Sequence, residues 1–291
     1  MRAEIVLFVS LTALGPAGVT VAADADPAAS TPFASTRPGE ILVPVTVGVR
    51  GPFRFLLDTG STHTAVTERL ATAVDAVPVA RTVMRAAAGS VRCLVVALPA
   101  VAVDGVSADG LTATALPPAA AAALGPGVDG VLGQDFLARF SFTIDYRRSR
   151  ILWHDADYVA PGTRLALVSA QDRWLVELPQ PATTQGSART LRRFVPDSGA
   201  DTLVLFGEHR AGCLITAWRA GTSALGSLTG ERAVRTAIVD GLRVGEATLD
   251  RQLAAVVPST APDDPDGLLP LHLFASVFFS ASSRALVIEV R

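Results

Sequence analysis

Two acidic residues stand at matching positions in this chain, each directly after an apolar-leaning segment. Residues 58–61 read Asp-Thr-Gly-Ser, and residues 197–200 read Asp-Ser-Gly-Ala. Two carboxyl groups held close together share one proton, because both cannot ionise comfortably. The ionised group can take a proton from water while the protonated group donates to a carbonyl oxygen. Asp58 and Asp197 are therefore candidate catalytic residues for hydrolysis without a metal or a covalent intermediate.

The residues that follow each aspartate are suited to holding such a pair rigidly. Gly60 and Gly199 allow the backbone to turn sharply, so that N–H groups point at the carboxylates. Thr59 and Ser198 carry hydroxyl groups that could bond between the two turns and lock them together. We expect these four residues to support the catalytic turns.

The two aspartates are not expected to be equivalent. Ser61 could donate a hydrogen bond to the outer oxygen of Asp58, and it belongs with the supporting residues of the turns. Ala200 has no hydroxyl and could not do the same for Asp197. We therefore predict that Asp58 is the more readily ionised of the two.

A second pair of matching segments indicates that the chain is a duplication. Residues 129–133 read Asp-Gly-Val-Leu-Gly, and residues 266–270 read Asp-Gly-Leu-Leu-Pro. The two Asp turns lie 139 residues apart (197 − 58), and these later segments lie 137 apart (266 − 129). Two landmarks in one order with nearly one offset predict similar lobes at residues 39–160 and 161–291, which meet near Pro161-Gly162.

Composition and local patterns favour a mostly β fold. Hydrophobic residues make up 49% of the chain but aromatic residues only 6%, so the core must be built from Val, Leu, Ala and Ile. The 24 Gly and 19 Pro favour many short strands joined by turns. Short helices are predicted at Thr67–Val74, Pro117–Leu124, Asp135–Phe140, Gly207–Cys213 and His272–Val277.

Charge and residue types argue against several classes of function. The net charge is −2 and no basic patch occurs, so neither a nucleic-acid partner nor an electrostatic membrane partner is expected. The four His and two Cys show no metal-ligand spacing, and we expect no metal and no cofactor. Cys93 and Cys213 could pair outside the cytoplasm or remain two buried thiols.

The N-terminal residues have the pattern of an export signal. Arg2 precedes an apolar run from Ile5 to Leu14, and small residues up to Ala23 suit a cleavage site. We predict a signal peptide at 1–23 and a periplasmic or secreted protein; the alternative is an uncleaved anchor. Residues 24–38 are rich in Ala, Pro, Ser and Thr and predict a flexible leader.

Two other catalytic sites could be proposed from residues in or near the same motifs. A Ser61, His63 and Asp58 triad is sterically poor, because neighbours on one strand point to different faces. Asp129 and Asp266 could form a second carboxylate pair, but each precedes a glycine, and turn formation explains them better.

The motifs together resemble a known protein family. Residues 56–61 followed by Val131-Leu132-Gly133 resemble the retropepsin-like and pepsin-like aspartic peptidases. Residues 130–140 with 143–146 resemble the bacterial members of the retropepsin-like group. The resemblance covers residues 43–291 and is stronger in the first half. It implies a bilobal, acid-protease-type closed β-barrel fold with a cleft between two lobes, and catalytic roles for Asp58 and Asp197.

The chain departs from that family in its second half and in its flap. Pro196 precedes the second aspartate and Pro270 replaces an expected glycine. We place the substrate-binding flap at Ala87, Ala88, Gly89 and Ser90, and a second candidate at residues 221–230. Neither tyrosine of the chain falls at a pepsin-like flap position.

The resemblance and the paired aspartates lead to one hypothesis with two alternatives. The hypothesis is a monomeric aspartic endopeptidase that acts on a peptide or protein substrate. The first alternative is a catalytically inactive peptide-binding module that retains the fold, motivated by Pro196, Ala200 and Pro270. The second alternative is an enzyme that is active only as a dimer.

Overall fold

The computed structural model describes residues 27–86, 89–170, 172–180, 190–208, 214–258 and 264–291. The predicted signal peptide lies outside these ranges, as do Ala87, Ala88 and Cys213. Every helix in the described ranges is too short or too polar to cross a bilayer.

The first half of the chain is mostly strand with three short helices. Its strands are β1 (Ala29–Pro32), β2 (Leu42–Val47), β3 (Arg50–Leu57), β4 (Ala65–Thr67), β5 (Val77–Ala86), β6 (Gly89–Ala97), β7 (Val101–Val103), β8 (Val106–Ala108), β9 (Thr112–Leu116), β10 (Gly130–Leu132), β11 (Ser141–Asp145) and β12 (Arg150–His154). Its helices are α1 (Glu68–Ala73), α2 (Pro118–Ala121) and α3 (Gln134–Leu137), with a 3₁₀ turn η1 (Ala122–Leu124) after α2. All three helices predicted for this half are present.

The second half repeats the pattern with fewer helical residues. Its strands are β13 (Thr163–Ala170), β14 (Arg173–Gln180), β15 (Thr190–Asp197), β16 (Leu203–Phe206), β17 (Ile215–Ser227), β18 (Gly230–Val239), β19 (Leu242–Val244), β20 (Ala247–Leu249), β21 (Gln252–Val257), β22 (Gly267–Pro270), β23 (Ser276–Ser280) and β24 (Ala285–Glu289). The helix predicted at 272–277 is only a 3₁₀ turn, η2 (Leu271–Leu273). The run Val277-Phe278-Phe279 favours a strand instead. Most of the helix predicted at 207–213 lies outside the described residues.

Strand β2 shows why these sequences form strands. Val43, Val45 and Val47 are buried, whereas Pro44 and Thr46 between them are exposed. Successive side chains of a strand point to opposite faces, so this alternation buries one face and leaves the other in water. The mostly β prediction is confirmed.

The two halves share one order of strand pairing. Strand β10 lies between β3, which is parallel to it, and β4, which is antiparallel. Strand β22 lies in the same way between parallel β15 and antiparallel β16. Strands β4 and β9 are parallel, as are β16 and β21. The strands around the two Asp turns are therefore paired in the same way in both halves.

The predicted closed β-barrel is wrong, because within the described residues both large sheets are open. One sheet of thirteen strands has the order β1-β12-β11-β23-β24-β13-β14-β15-β22-β16-β21-β18-β17, and one of nine has the order β5-β6-β9-β4-β10-β3-β2-β7-β8. Strand β11 of the first half pairs with β23 of the second, with Phe142 opposite Phe279. Strands β1, β11 and β12 of the first half thus join the sheet that contains the second half, and they do not close a barrel within their own half.

The predicted flexible leader at 24–38 is also wrong for part of its length. Residues 29–32 form β1, which pairs antiparallel with β12. Trp153 Nε1 donates a hydrogen bond of 2.9 Å to Thr31 Oγ1, and the Thr31 side chain is fully buried. Strand β1 thus lies at the edge of the large sheet, and β12 supplies backbone partners that the leader's composition did not indicate.

The hydrophobic core is shared between the halves. Phe142 and Phe279 stack at 4.9 Å between ring centroids, and Trp153 packs against Phe142. A smaller cluster in the first half, called here the first-half cluster, comprises Leu42, Ala65, Leu116, Ala120, Leu124, Val128 and Val131. A corresponding second-half cluster comprises Val204, Val234, Ala255 and Val257.

Candidate active site

The two Asp turns begin where strands β3 and β15 end. The Asp58 N–H donates to Leu132 O at 3.0 Å, which ties the first turn to β10 behind it. Asp197 is the last residue of β15 and lies opposite Pro270 of β22. The second segment of the sequence repeat therefore lies directly behind each aspartate.

Each aspartate is held by the backbone of its own turn. Asp58 Oδ1 accepts hydrogen bonds from the N–H groups of residues 60 and 61 at 2.8 and 3.1 Å. Asp197 Oδ1 accepts from the N–H groups of residues 199 and 200 at 2.8 and 3.0 Å. One carboxyl oxygen of each residue is thus fixed, and the other oxygen is left for a partner across the site.

The structure brings together two carboxyl groups that lie 139 residues apart in the chain. A Cβ atom placed on Gly60 would lie 2.4 Å from Asp197 Cγ, and one on Gly199 would lie 2.8 Å from Asp58 Cγ. Each carboxyl group therefore packs over the glycine of the opposite turn, where only a hydrogen atom fits. The two carboxyl groups also hydrogen-bond to each other.

The two turns are locked by their hydroxyl residues, as the sequence predicted. Thr59 Oγ1 donates to Pro196 O at 2.8 Å and accepts from the Ser198 N–H at 3.0 Å. Ser198 Oγ donates to Leu57 O at 2.8 Å and accepts from the Thr59 N–H at 3.0 Å. Both side chains are buried, at 0% and 1% exposure, so these four reciprocal bonds are shielded from water.

Ser61 does not act as predicted. Its hydroxyl donates to His63 O at 2.9 Å, and only its backbone N–H contacts Asp58. His63 itself is exposed, and its Nδ1 bonds Thr62 Oγ1 at 2.9 Å. The hydroxyl can satisfy itself locally in the turn, so it has no need of the carboxylate, and no Ser-His-Asp relay is formed.

The two carboxyl groups differ in their electrostatic surroundings. Burial raises the pKa of Asp58, although the turn N–H groups, the hydrogen bond with Asp197 and the positive charge of Arg173 act in the opposite direction. Burial raises the pKa of Asp197 well above its usual value, and the negative charge of Asp58 adds to this effect. The pKa of Asp197 is thus the more strongly raised of the two, mainly because the Asp58 charge acts on it, and the charge of Arg173 is the smallest of the influences that lower the pKa of Asp58.

Gln134 is a supporting residue that the sequence reasoning missed. Its Nε2 donates to Thr59 O at 2.5 Å, and its backbone N–H donates to Ser61 O at 2.9 Å. Its Oε1 accepts from the Trp174 N–H of β14 at 3.2 Å, so this side chain links the first Asp turn to the second half. The available signal was a polar residue directly after Gly133, where the second half has Leu271.

Asp129 and Asp266 have a structural role in each half. Asp129 Oδ2 accepts from the Arg54 N–H at 3.0 Å, and Asp266 Oδ2 accepts from the Arg193 N–H at 2.8 Å. Each also forms an ion pair with an arginine side chain, Arg69 and Arg192 respectively. These acids fix the loops before β10 and β22 and do not form a carboxylate pair.

Both halves have a long hairpin at the residues that were predicted to form the flaps. Strands β5 and β6 form the first, and residues Ala87 and Ala88 between them lie outside the described residues. Gly89 and Ser90 open β6 and pair with residues 86 and 85. Strands β17 and β18 form the second hairpin, with residues 228 and 229 at its turn.

The tips of these hairpins come close to each other. A Cβ atom on Gly89 would lie 4.0 Å from Thr229 Oγ1. Leu228, at the turn of the second hairpin, packs against the first-half cluster, as do Met84 and Val91 of the first hairpin. An element of the second half thus contacts the apolar surface of the first half.

Residues 43–136 match the family model described as aspartyl protease. The matched segment contains the first Asp turn, the first hairpin and β10, which are the parts of the first half that build the site. The match supports an aspartic protease family for this chain, and protease activity in general. No curated protein matches the chain.

The described residues offer little to a metal or a disulfide. They contain no group of three His, Cys, Asp or Glu residues that could hold a metal ion. Cys93 is a buried free thiol, and its candidate partner Cys213 lies outside the described ranges.

Proposed function

We propose that this chain is an aspartic endopeptidase of the bilobal type, with one catalytic aspartate from each lobe and a substrate cleft between the lobes. The observation that carries the proposal is the contact between Asp58 and Asp197, in which each carboxyl group lies over the glycine of the opposite turn. Matched strand pairing around the two turns and the aspartyl protease match in the first half support it.

The reaction uses both carboxyl groups and one water molecule. Ionised Asp58 takes a proton from water as the water oxygen adds to the peptide carbonyl carbon, while Asp197 gives its proton to the carbonyl oxygen. Collapse of the tetrahedral intermediate breaks the C–N bond. Asp58 then passes its proton to the leaving nitrogen, and Asp197 recovers a proton from the intermediate's hydroxyl group.

This assignment follows from the pKa order of the pair. Asp197 has the more strongly raised pKa, because of burial and the nearby Asp58 charge, and so holds the shared proton. The rate is expected to fall as pH drops through the pKa of Asp58 and as pH rises through that of Asp197. The two limbs of the profile belong to the coupled pair.

Replacement of either aspartate by asparagine tests the proposal. Asp58→Asn and Asp197→Asn should each lower kcat/KM on a mixed peptide library by roughly 10²–10⁴-fold, because general acid–base catalysis supplies about that much. Asp157→Asn is a matched control at an exposed position and should leave the rate unchanged. Full activity of either active-site variant would contradict the proposal.

A binding module without catalysis is the second candidate. Behind the second Asp turn, Pro196 of β15 lies opposite Leu269 of β22, and Pro270 of β22 lies opposite Asp197. Ala200 lacks the hydroxyl group that Ser61 has in the first turn. If the library is bound but stays intact at both acid and neutral pH, this candidate replaces the enzyme.

We also propose that the protein is exported and acts as a monomer. Residues 1–23 have the export pattern, and one chain supplies both aspartates. N-terminal sequencing of the mature protein should begin at Asp24. Gel filtration of the active protein should give a monomer, and activity confined to a dimer peak would overturn that part.

A further inference from the structure

Arg173 is held close to the first Asp turn by a short chain of hydrogen bonds. It opens β14, and the next residue, Trp174, donates its N–H to Gln134 Oε1 at 3.2 Å. Gln134 in turn donates to Thr59 O at 2.5 Å, one residue after Asp58. The backbone of Arg173 is therefore fixed at the edge of the aspartate pair.

The guanidinium group of Arg173 has no direct polar contact with any described residue. Across the part of the chain that the structure describes, it forms neither a hydrogen bond nor an ion pair, and the residue is only partly exposed. Its positive charge reaches Asp58 and opposes the rise in that residue's pKa. A partly buried guanidinium that forms neither a hydrogen bond nor an ion pair is costly unless it has another role.

The matching position in the first half carries the opposite charge. Val43 lies opposite Phe55 and Val176 lies opposite Phe194, each phenylalanine being three residues before its aspartate. Counting back three residues from each valine gives Glu40 and Arg173. The two ends of the site therefore differ in charge at equivalent positions.

Glu40, unlike Arg173, is already satisfied within the protein. Its carboxylate accepts a hydrogen bond from the Thr36 N–H at 2.9 Å and one from Arg37 at 2.9 Å. It lies beside the second Asp turn, since a Cβ on the preceding Gly39 would lie 3.2 Å from Ala200 O. Arg173, at the end of the site next to Asp58, has no such partner among the described residues.

We infer that Arg173 binds a carboxylate of the peptide substrate at the Asp58 end of the site and thereby selects substrates that carry one there. The inference rests on the proposed peptidase function. The planar guanidinium donates two parallel hydrogen bonds to a carboxylate, and partial burial strengthens such a pair relative to one in open water. The carboxylate comes from an Asp or Glu side chain or from the C-terminus of the peptide.

A panel of octapeptides tests this inference. Each peptide is built from Ala and Leu, with one Glu moved through every position, and each has a Gln counterpart; all are made with free and amidated C-termini. The kcat/KM ratio of Glu to Gln peptides is measured for the full chain, for Arg173→Ala, Arg173→Lys and Arg173→Glu, and for Arg164→Ala. Arg164 is the matched control, because it is an exposed arginine on the adjacent strand β13.

The ratio separates substrate binding from the effect of Arg173 on Asp58. A changed pKa of Asp58 alters the rates of Glu and Gln peptides equally, whereas loss of a bound carboxylate alters only the former. The full chain and Arg164→Ala should prefer Glu at one position by about tenfold or more, as expected for hydrogen bonds between charged groups. Arg173→Ala should bring the ratio to about one, Arg173→Lys should keep part of it, and Arg173→Glu should reverse it.

The outcomes distinguish this inference from the proposed function. A preference that follows the free C-terminus assigns the carboxylate to the chain end, and one that follows Glu assigns it to a side chain. Cleavage with the same ratio in all variants overturns the inference alone. If no variant cleaves any peptide, the proposed function fails, and the Glu-to-Gln ratio of binding affinities, measured by fluorescence polarisation with the same labelled peptides, still decides the role of Arg173.

Discussion

At the scale of single residues, the site depends on two glycines that have no side chain as much as on the residues that form hydrogen bonds. Gly60 and Gly199 leave room for the carboxyl group of the opposite turn, and a methyl group at either position would overlap it. Thr59 and Ser198 then fix the two turns with reciprocal hydrogen bonds. The tight approach explains why each Asp turn needs a glycine two residues after the aspartate.

Gly60→Ala should lower activity strongly without unfolding the protein. The new Cβ would lie 2.4 Å from Asp197 Cγ, so the carboxyl group must move and the shared proton position is lost. We expect kcat/KM to fall by about 10²-fold or more, since small displacements of catalytic groups have effects of that size.

Gly226→Ala is the control for that change, because nothing lies within 4 Å of its Cβ position. Rates are measured on one peptide substrate, and folding is checked by circular dichroism. A Gly60→Ala variant with native activity would show that the two carboxyl groups do not approach each other as described.

At the scale of elements, we propose that the two hairpins complete the site from opposite halves. The first hairpin, β5–β6, belongs to the nine-stranded sheet, and the second, β17–β18, ends the thirteen-stranded sheet. Leu228 bridges them by packing against the first-half cluster. We expect the hairpins to close over a bound peptide and to exclude water from the aspartates.

Leu228→Ala should weaken this closure. Loss of a partly buried leucine contact removes about 1 kcal/mol, so kcat/KM should fall roughly fivefold. Amide hydrogen exchange in residues 222–230 should become faster, because the tip loses its anchor.

Leu253→Ala provides the comparison, as Leu253 is 43% exposed on β21, away from the hairpin tips. It should change neither the rate nor the exchange of residues 222–230. Unchanged exchange in Leu228→Ala would show that the contact between the hairpins is not stabilising.

At the scale of the whole molecule, the halves are joined by a continuous sheet and a shared core. Strands β11 and β23 pair side by side, and Phe142 stacks on Phe279 across that junction. Trp174 also stacks on Phe279, with 5.1 Å between the ring centroids. Because each half supplies one aspartate, we expect this junction to help to hold the two carboxyl groups together.

Phe279→Ala should destabilise the protein by about 3–5 kcal/mol, the usual cost of removing a buried phenylalanine. The side chain is 1% exposed, so the cavity cannot fill with solvent without disturbing both halves. Urea denaturation measures the change in the free energy of unfolding.

Phe206→Ala, at a partly exposed position beside the second-half cluster, should cost clearly less. A loss below about 1 kcal/mol for Phe279→Ala would mean that the junction adds little to stability. It would also remove the argument that the junction holds the two aspartates together.

Much of this protein was determined by the sequence alone, because the decisive signals are local. Asp58 and Asp197 stand in short motifs, and the strand alternation and first-half helices depend on neighbouring residues. The near-constant offset between the halves indicated that one topology is built twice. These patterns need no knowledge of distant contacts.

Only the tertiary structure decided how distant groups meet. The hydroxyl of Ser61 bonds its own turn, the leader gains a strand by joining β12, and β11 pairs with β23 in an open sheet. Arg173 reaches Asp58 because Gln134 ties β14 to the first turn. Except for the bond of Ser61, these contacts join segments more than thirty residues apart, and the packing of the whole chain brings such segments together.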